Sequence, residues 1–396
     1  MNILFINDIP FNPIAGGLER VTDVLAKELS RRGYIIYYLY KRLTNSQLYL
    51  LSYDFPVQLY ELPNYGLFEN EENVAYYKYL QSHLKIDVVI NQRGLCGMFN
   101  SFLPITQTKV ISVIHSVPDA DVLIFLSKLE DLSTPPCVAF KKFIKKLFRS
   151  WVTSYWRRKA LVDLENKYNE LVLYSDAIVM LTDGYIDEIK RLICVHSKSK
   201  FAAIPNPNTF NVLDVDLKEK ENVVLYVGRL TKLEKEPLRM LRIWEYLGSK
   251  HKNWKLMIVG EGDEKNKMQE FVERRGLKNV IFEGRQYNVS QYYRIASFVC
   301  LTSNFEGWGM VLTEGMQYGC IPLTFNNYDA AHVIIDDGLN GCLIPAFNLK
   351  RYAMRLSELM SDENRRVEMS KAAIEKVKEF SVENIVDKWE NLLNNL

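Results

Sequence analysis

Short apolar runs alternate with amphipathic stretches along the whole 396-residue chain. Apolar runs separated by helix-period patterns are typical of parallel strands that helices bury on both faces. One series of strands is predicted at residues 3–6, 35–40, 88–91, 110–115 and 177–181, and a second at 223–228, 256–260, 280–284, 298–302 and 321–324. A helix is predicted at 19–32, with Val21, Val24, Leu25 and Leu29 on one face. The pattern predicts an α/β fold of two Rossmann-like domains with parallel sheets.

The two series of strands are separated by a stiff, charged segment. Pro205 and Pro207 favour an extended backbone, and residues 214–221 are rich in charge. We therefore predict an N-terminal domain at 1–207, a C-terminal domain at 208–380, and a helix at 381–396 that packs back on the first domain. The cleft between two such domains is the expected ligand site.

Composition narrows the classes of protein that fit. The chain is 48% hydrophobic with a net charge of +2, so nucleic acid is not an expected partner. Its six cysteines form no C-x-x-C pair, which favours buried free thiols and a reducing compartment. Neither a signal-peptide pattern nor an apolar run long enough to cross a bilayer is present. We expect a cytoplasmic protein, soluble or peripheral at the inner face of the membrane.

The segment 303–322 carries the strongest chemical signal. Glu306 precedes a turn that contains Gly307 and Gly309, and Glu314 lies in the helix predicted after it. In an open parallel sheet such a turn lies at the carboxyl ends of the strands, where ligands bind. Free N–H groups after the glycines suit a phosphate, and each carboxylate can accept hydrogen bonds from hydroxyl groups. Phosphate between two polyol-binding acids describes a nucleotide sugar.

Three other positions each allow two interpretations. Arg229 ends an apolar strand, where its guanidinium forks onto phosphate oxygens or forms a surface salt bridge. Gly16 and Gly17 form a plain tight turn or aim backbone donors at a diphosphate. His115 follows a buried strand and is either a core histidine or part of a reaction centre.

The segment around Glu306 and Glu314 resembles the E-x7-E signature of retaining glycosyltransferases of the GT-B fold, family 4. The resemblance extends over nearly the whole chain, in segments 12–20, 114–116, 226–230 with Lys235, 259–262 and 335–341. It implies that the first domain binds the acceptor and the second binds the nucleotide sugar. Where the family usually has Lys-Gly, this chain has Lys235-Glu-Pro237, so we expect a loop that differs there.

The resemblance implies a role for each matched residue. Glu306 contacts the hydroxyls of the donor sugar, and Glu314 accepts hydrogen bonds from the ribose. Arg229 and Lys235 neutralise the leaving diphosphate, and His115 contacts the transferred sugar. The other implied donor-binding positions are Gly16, Gly17, Arg285, Gly309, Met310 and Val311.

The resemblance also bears on cofactors and on the reaction course. The triplets Asp119-Ala-Asp121 and Asp214-Val-Asp216 lie in a loop and in the linker, so we expect solvated turns, no metal and no cofactor. No assured nucleophile is present, which favours substitution from the face of the leaving group, with a phosphate oxygen taking the acceptor's proton.

A basic aromatic stretch at 141–159 has two interpretations. As a helix it sets Phe143, Leu147, Trp151 and Tyr155 along one side, flanked by lysines and arginines. It either covers the first domain or lies on an anionic membrane surface, near a lipid-linked glycan acceptor.

Three functions are open at this point. The first is a retaining glycosyltransferase, moving a sugar from a uridine diphosphate sugar to a glycan in cell-surface polysaccharide synthesis. The alternatives are a nucleotide-sugar epimerase on the same fold and a non-catalytic nucleotide-sugar-binding partner of another transferase.

Overall fold

A computed structural model describes residues 1–9, 16–41, 54–64, 70–95, 107–132, 139–192, 200–210 and 214–396. Of residues 128–132 and 139–153 only the backbone is described. The chain divides into two compact units. Unit one consists of Met1–Asn12, Leu29–Ala203 and Leu392–Leu396, and unit two of Pro13–Glu28 and Ile204–Asn391.

Unit one is built on a seven-stranded parallel sheet with the order β3-β2-β1-β4-β5-β6-β7. Its strands are β1 Asn2–Asn7, β2 Ile35–Tyr40, β3 Val57–Glu61, β4 Val88–Asn91, β5 Lys109–Ile114, β6 Ala177–Met180 and β7 Phe201–Ala203. The helices along this part of the chain are α1 Gly17–Arg31, α2 Glu71–His83, α3 Ala120–Leu132, α4 Ala139–Tyr174 and α5 Asp183–Leu192. Most of α1 belongs to unit two. Its residues Val21, Leu25 and Leu29 are buried, as its sequence period predicts.

Unit two is built on a six-stranded parallel sheet with the order β10-β9-β8-β11-β12-β13. Its strands are β8 Glu221–Val227, β9 Lys255–Val259, β10 Val280–Gly284, β11 Ala296–Cys300, β12 Ile321–Phe325 and β13 Cys342–Ile344. The helices that follow are α6 Leu238–Leu247, α7 Lys265–Arg275, α8 Ser290–Ile295, α9 Met310–Gln317, α10 Asp329–Ile334, α11 Leu349–Ser361, α12 Glu363–Val377 and α13 Val382–Asn394. Residues of both kinds of element, such as Met240, Leu256 and Tyr352, form one buried apolar cluster.

The prediction of two parallel-sheet α/β domains is confirmed. In each sheet the strand order reverses between two neighbours, β1 and β4 in unit one and β8 and β11 in unit two. Loops that leave such a pair in opposite directions open a crevice at the carboxyl ends of the strands. The fold therefore places a candidate binding position at residues 7–8 and 91–93, and another at 228–229 and 301–309. The predicted domain limits at 207 and 380 stay predictions.

Two loops at the carboxyl ends of the strands in the second sheet pack closely because one of them has a glycine. A Cβ atom added to Gly260 would lie 1.9 Å from the carbonyl oxygen of Gly228, closer than real atoms approach. The absence of a side chain at 260 therefore lets the loops after β8 and β9 meet.

The structure bears on two sequence predictions, the free cysteines and the lack of a membrane-spanning segment. Cys300, Cys320 and Cys342 are buried and free, as predicted, whereas Cys96, Cys137 and Cys194 lie outside the described residues. Across the described ranges, no helix has both the length and the apolar character needed to span a bilayer.

Candidate functional site

The first part of the candidate site in unit two is an ion pair between Lys235 and Glu306. Lys235 follows β8 by a loop and Glu306 follows β11, so both lie where the strand order reverses. The Lys235 Nζ lies 2.5 Å from Glu306 Oε1, and Ser303 Oγ donates to the same oxygen at 2.5 Å. The side chains are 19% and 10% exposed, so the pair is shielded from solvent and charge-assisted. The structure thus brings together two residues separated by 71 positions.

The loop that carries Lys235 holds an unusual backbone. Glu236, which stands where the resemblance leads one to expect glycine, has φ of +40°, in the left-handed region that glycine favours. Its N–H donates to the carbonyl of Thr231 at 3.0 Å, and its own carbonyl accepts from Thr302 Oγ1 at 3.4 Å. These contacts fix the loop in this conformation.

Arg229 lies at the end of β8, as predicted, and most of its side chain is exposed. It forms an ion pair with Glu234 in the same loop. Burial raises the pKa of the Glu19 carboxyl above its usual value, and the nearby charges of Arg20 and Arg229 oppose that rise. The guanidinium of Arg229 therefore faces carboxylates but remains accessible to a ligand.

Glu314 lies in α9 and is 1% exposed. Its Oε1 is 2.9 Å from the guanidinium of Arg20 and accepts from Thr209 Oγ1 at 3.2 Å, while the hydroxyl of Tyr293 donates to Oε2 at 2.9 Å. Burial and the charge of Glu314 raise the pKa of Tyr293 well above its usual value, so its hydroxyl stays a donor. A carboxylate has about four acceptor positions, so these three partners leave room for one more donor.

The start of α9 is the predicted phosphate-binding turn. Gly309 precedes the helix with φ of +88°, and no side chain caps it. The N–H groups of the first turn, which include those of Met310 and Val311, have no partner within the helix. A Cβ atom on Gly17 would lie 3.3 Å from Met310 Cγ, so the glycine and this helix start are neighbours. Gly16 is described next to it, while residues 12–15 of the glycine loop lie outside the described residues.

Arg285 is placed apart from these groups. It follows β10, is exposed, and lies over the ring of Tyr287 at 5.5 Å from the centroid. The contact described for Arg285 is thus within its own loop, with Tyr287.

His115 follows β5 in unit one and lies in a separate polar cluster. Its Nε2 is 2.5 Å from Gln92 Oε1, and burial lowers the pKa of its imidazole to about 4. Because its pKa is low, the histidine is neutral at physiological pH. At the ends of the neighbouring strands β1, β4 and β2, Asp8 pairs with Arg93 at 2.7 Å and with Lys41 at 3.1 Å.

The two Asp-x-Asp triplets have structural partners. Asp121 pairs with Lys167 at 2.6 Å, and Asp216 accepts from the N–H of Lys218 at 2.9 Å and so caps the turn Leu217–Glu219. Within the described ranges, no group of three or more His, Cys, Asp or Glu side chains could hold a metal ion.

Sequence reasoning missed several groups of these clusters. Arg20, Tyr293 and Thr209 bind Glu314, and Gln92 binds His115. Each pairs with a residue distant in sequence, so no local spacing marks it. The position of Gln92 just past a buried strand was the one available signal.

Comparison with known proteins shows similarity to glycosyltransferases in the second half of the chain. Residues 211–376 match the family model of glycosyl transferases group 1. The chain is 30% identical over 226 residues to the amylovoran biosynthesis glycosyltransferase AmsD of Erwinia amylovora, covering 56% of this chain and 62% of that protein. It is 32% identical over 176 residues to an α-1,4-N-acetyl-D-galactosaminyltransferase of Campylobacter jejuni whose name includes a PP-undecaprenol glycan, covering 44% of this chain and 48% of that protein. The matches thus span about half to three fifths of the length of these curated relatives.

Two solved structures share the fold over the whole chain. The structure of a TarM variant of S. aureus with fondaparinux, α-GlcNAc-glycerol and UDP has a TM-score of 0.74 at 15% identity, and the match covers 99% of both chains. The structure of HepE of Anabaena with UDP and glucose has a TM-score of 0.69 at 16% identity, and the match covers 100% of both chains. The fold is therefore the one that these two solved structures share, and residues 211–376 are similar to glycosyl transferases group 1.

Proposed function

We propose that the protein is a retaining glycosyltransferase of family 4, which moves a sugar from a uridine diphosphate sugar to a glycan acceptor. The observation that carries the proposal is the shielded Lys235–Glu306 pair, which lies with Arg229 where the second sheet reverses its strand order. A diphosphate leaving group gains negative charge as the glycosidic bond breaks. Two cations at that position stabilise it without a metal.

Each residue then has a distinct task. Arg229 and Lys235 hold the diphosphate, with the N–H groups of Met310 and Val311 at the start of α9. Glu306 accepts hydrogen bonds from hydroxyls of the donor sugar, and Glu314 uses its remaining acceptor position for the ribose. Gly16, Gly17 and Gly309 leave backbone groups open to the phosphates, Arg285 contacts the base through its backbone, and His115 contacts the transferred sugar.

We propose same-face substitution because the resemblance assigns neither glutamate to attack on the anomeric carbon. The contacts of Glu306 fit a binding role, since its Oε1 accepts hydrogen bonds from Lys235 and Ser303. In the proposed reaction the bond from the anomeric carbon to the phosphate oxygen breaks. The acceptor oxygen then bonds on the same face, and its proton passes to the leaving phosphate oxygen.

Nucleotide release tests the proposal. The wild-type protein is incubated with a panel of nucleotide sugars, with and without a lipid-linked glycan, and free UDP is measured. We expect acceptor-dependent release, and a loss of about 10²–10³-fold for Glu306→Gln and for Arg229→Ala. Arg294→Ala is the matched control, since its side chain is 63% exposed, close to the 68% of Arg229. Conversion of the sugar without an acceptor would identify an epimerase instead, and binding without turnover a non-catalytic partner.

The acceptor and setting are proposed from the relatives and from α4. AmsD is named for amylovoran biosynthesis and the Campylobacter enzyme for a PP-undecaprenol glycan, so we propose a lipid-linked acceptor in cell-surface polysaccharide synthesis. The basic stretch 141–159 lies in α4, although the side chains of Phe143, Leu147 and Trp151 lie outside the described residues. In the described part, Tyr155 is 59% exposed and Lys159 lies over the ring of Trp156 at 5.3 Å.

Vesicle sedimentation tests the membrane part of the proposal. We expect the protein to sediment with vesicles that contain anionic phospholipid and to lose most of that binding when Arg157, Arg158 and Lys159 are replaced by glutamate. Each lost cation removes about 1 kcal/mol of attraction at the surface. If the variant sediments as the wild type does, these three residues do not carry the membrane contact, and a wild type that stays in the supernatant would contradict the membrane proposal.

A further inference from the structure

Buried polar side chains gather where the first sheet reverses its strand order. β1 and β4 are neighbours there, with Ile6 opposite Asn91, and the N–H of Gln92 donates to the carbonyl of Ile6 at 3.0 Å. Asn7 ends β1, Asn91 ends β4, and His115 follows β5, the next strand of the sheet. Asn7, Asn91 and Gln92 are each at most 3% exposed. Burial of so many amides is costly unless each finds a partner.

The contact between His115 and Gln92 determines which ring nitrogen carries the proton. Nε2 of His115 lies 2.5 Å from Oε1 of Gln92. An amide oxygen only accepts hydrogen bonds, so the Nε2 nitrogen must be the donor. Because burial lowers the pKa of the ring to about 4, the imidazole carries a single proton near neutral pH. Its Nδ1 then holds a lone pair. That atom is buried, and it has no hydrogen-bond partner among the residues the structure describes.

We propose that Gln92 is a positioning residue, which fixes His115 as the Nε2–H tautomer so that Nδ1 accepts a hydrogen bond from a substrate hydroxyl group. That the hydroxyl belongs to a sugar rests on the proposed function. The assignment of Nε2 as the protonated nitrogen rests on its contact with Gln92 and on the burial of the ring, and is independent of the proposed function.

The neighbouring atoms favour a neutral polyol as the ligand. Within the described part of the chain, the amide nitrogens Asn7 Nδ2, Asn91 Nδ2 and Gln92 Nε2 are also buried without partners. They are donors, and each can bind a hydroxyl oxygen, while Nδ1 of His115 binds a hydroxyl proton. An anion would be repelled by the Nδ1 lone pair, and the carboxylate of Asp8 already binds Arg93 and Lys41. The set thus suits the alternating donors and acceptors of a sugar.

Nitrogen NMR reads the tautomer directly. The protein is labelled with ¹⁵N-histidine, and long-range proton–nitrogen spectra are recorded at pH 7. The sequence has five histidines, and the spectrum of His115→Gln identifies the signals of residue 115. We expect the Nε2–H pattern in the wild type. We expect a mixture of tautomers in Gln92→Leu, and a return to Nε2–H in Gln92→Glu, whose carboxylate also accepts from Nε2.

Kinetics provide the second readout. Gln92→Leu should lower kcat/KM for sugar transfer about 10-fold, the effect of one misaligned neutral hydrogen bond. Gln92→Glu should recover only part of that loss, because its carboxylate restores the acceptor for Nε2 of His115 but lacks the amide donor. An Nδ1–H pattern in the wild type would overturn the inference, and so would an unchanged pattern in folded Gln92→Leu. If Gln92→Leu does not fold, the wild-type pattern decides. A protein with the Nε2–H pattern but no transfer would contradict the proposed function, while the contact of Gln92 with His115 would still be supported.

Discussion

Replacing Arg20 by methionine tests whether Glu314 depends on a distant cation. In the variant the carboxylate of Glu314, 1% exposed, keeps the hydroxyls of Tyr293 and Thr209 but loses its ion pair with the guanidinium of Arg20. Methionine has a similar length and keeps most of the apolar packing of the arginine stem. The change therefore removes the ion pair with its hydrogen bond, together with the contact of the guanidinium over the Phe210 ring at 5.9 Å from its centroid.

The size of the effect follows from burial. Breaking a fully buried ion pair costs about 3–5 kcal/mol, because a charge is left unpaired in a poor solvent. The Arg20 side chain is 27% exposed, and two hydroxyls still donate to Glu314, so we expect a smaller loss. The predicted destabilisation is about 2–3 kcal/mol, which for a unit of this size lowers Tm by about 4–12 °C.

Thermal and urea unfolding, followed by circular dichroism, measure the loss. Arg294→Met is the matched control, since its ion pair with Glu219 is long, at 3.9 Å, and exposed, and should contribute less than about 0.5 kcal/mol. Glu314→Gln completes a double-mutant cycle. Because the glutamine side chain in that variant carries no charge, the double variant should be more stable than the sum of the single losses predicts, by about 1–2 kcal/mol.

Two results would refute this reasoning. A Tm of Arg20→Met within about 1 °C of the Arg294→Met value would mean that the ion pair contributes nothing measurable. Strict additivity in the cycle would mean that Arg20 and Glu314 do not interact in solution.

Three further predictions concern single positions. Glu236→Gly should stabilise the protein by about 0.5–1 kcal/mol in urea unfolding, because glycine adopts the φ of +40° without strain; a loss of stability would contradict this. Because the pKa of His115 falls from 6.5 to about 4 on folding, the unfolded state binds more protons between these values, and stability falls as pH drops through that window. The decrease, up to about 3 kcal/mol, should be absent in His115→Gln, and an equal pH slope in both proteins would refute it. Gly260→Ala should cost about 3 kcal/mol or more by thermal unfolding, whereas Gly248→Ala, where an added Cβ meets nothing within 4 Å, should cost about 1 kcal/mol; equal losses would count against the close approach of the loops.

The buried strands were predictable because their burial leaves a mark in the sequence. β8 and β12 are covered on both faces, so nearly every position is apolar. Three strands escaped prediction for the opposite reason. β3 lies at an edge of its sheet with Gln58 and Leu59 exposed, and β7 and β13 are edge strands of only three residues. These three strands carry neither a continuous apolar run nor a full alternation, unlike the edge strand β10.

The candidate site was predictable only in part. The resemblance marked Glu306 and Glu314 in the E-x7-E segment and Lys235 beside segment 226–230, but the contact of Lys235 with Glu306 spans 71 residues and appears only in the fold. Arg20 lay in the matched segment 12–20 without an assigned role, and Gln92 lay in no matched segment, since an ion pair or hydrogen bond between distant segments follows no period in the sequence. Their partners were visible as motif residues, and their own roles depended on strand order.

The anomeric configuration of the product tests the central claim most directly. Proton NMR is recorded during transfer from an α-linked uridine diphosphate sugar to a glycan acceptor, with wild type and with Glu306→Gln. The account predicts an α-linked product from the wild type, and a rate reduced about 10²-fold or more by the variant. A β-linked product, or transfer by Glu306→Gln at the wild-type rate, would contradict it.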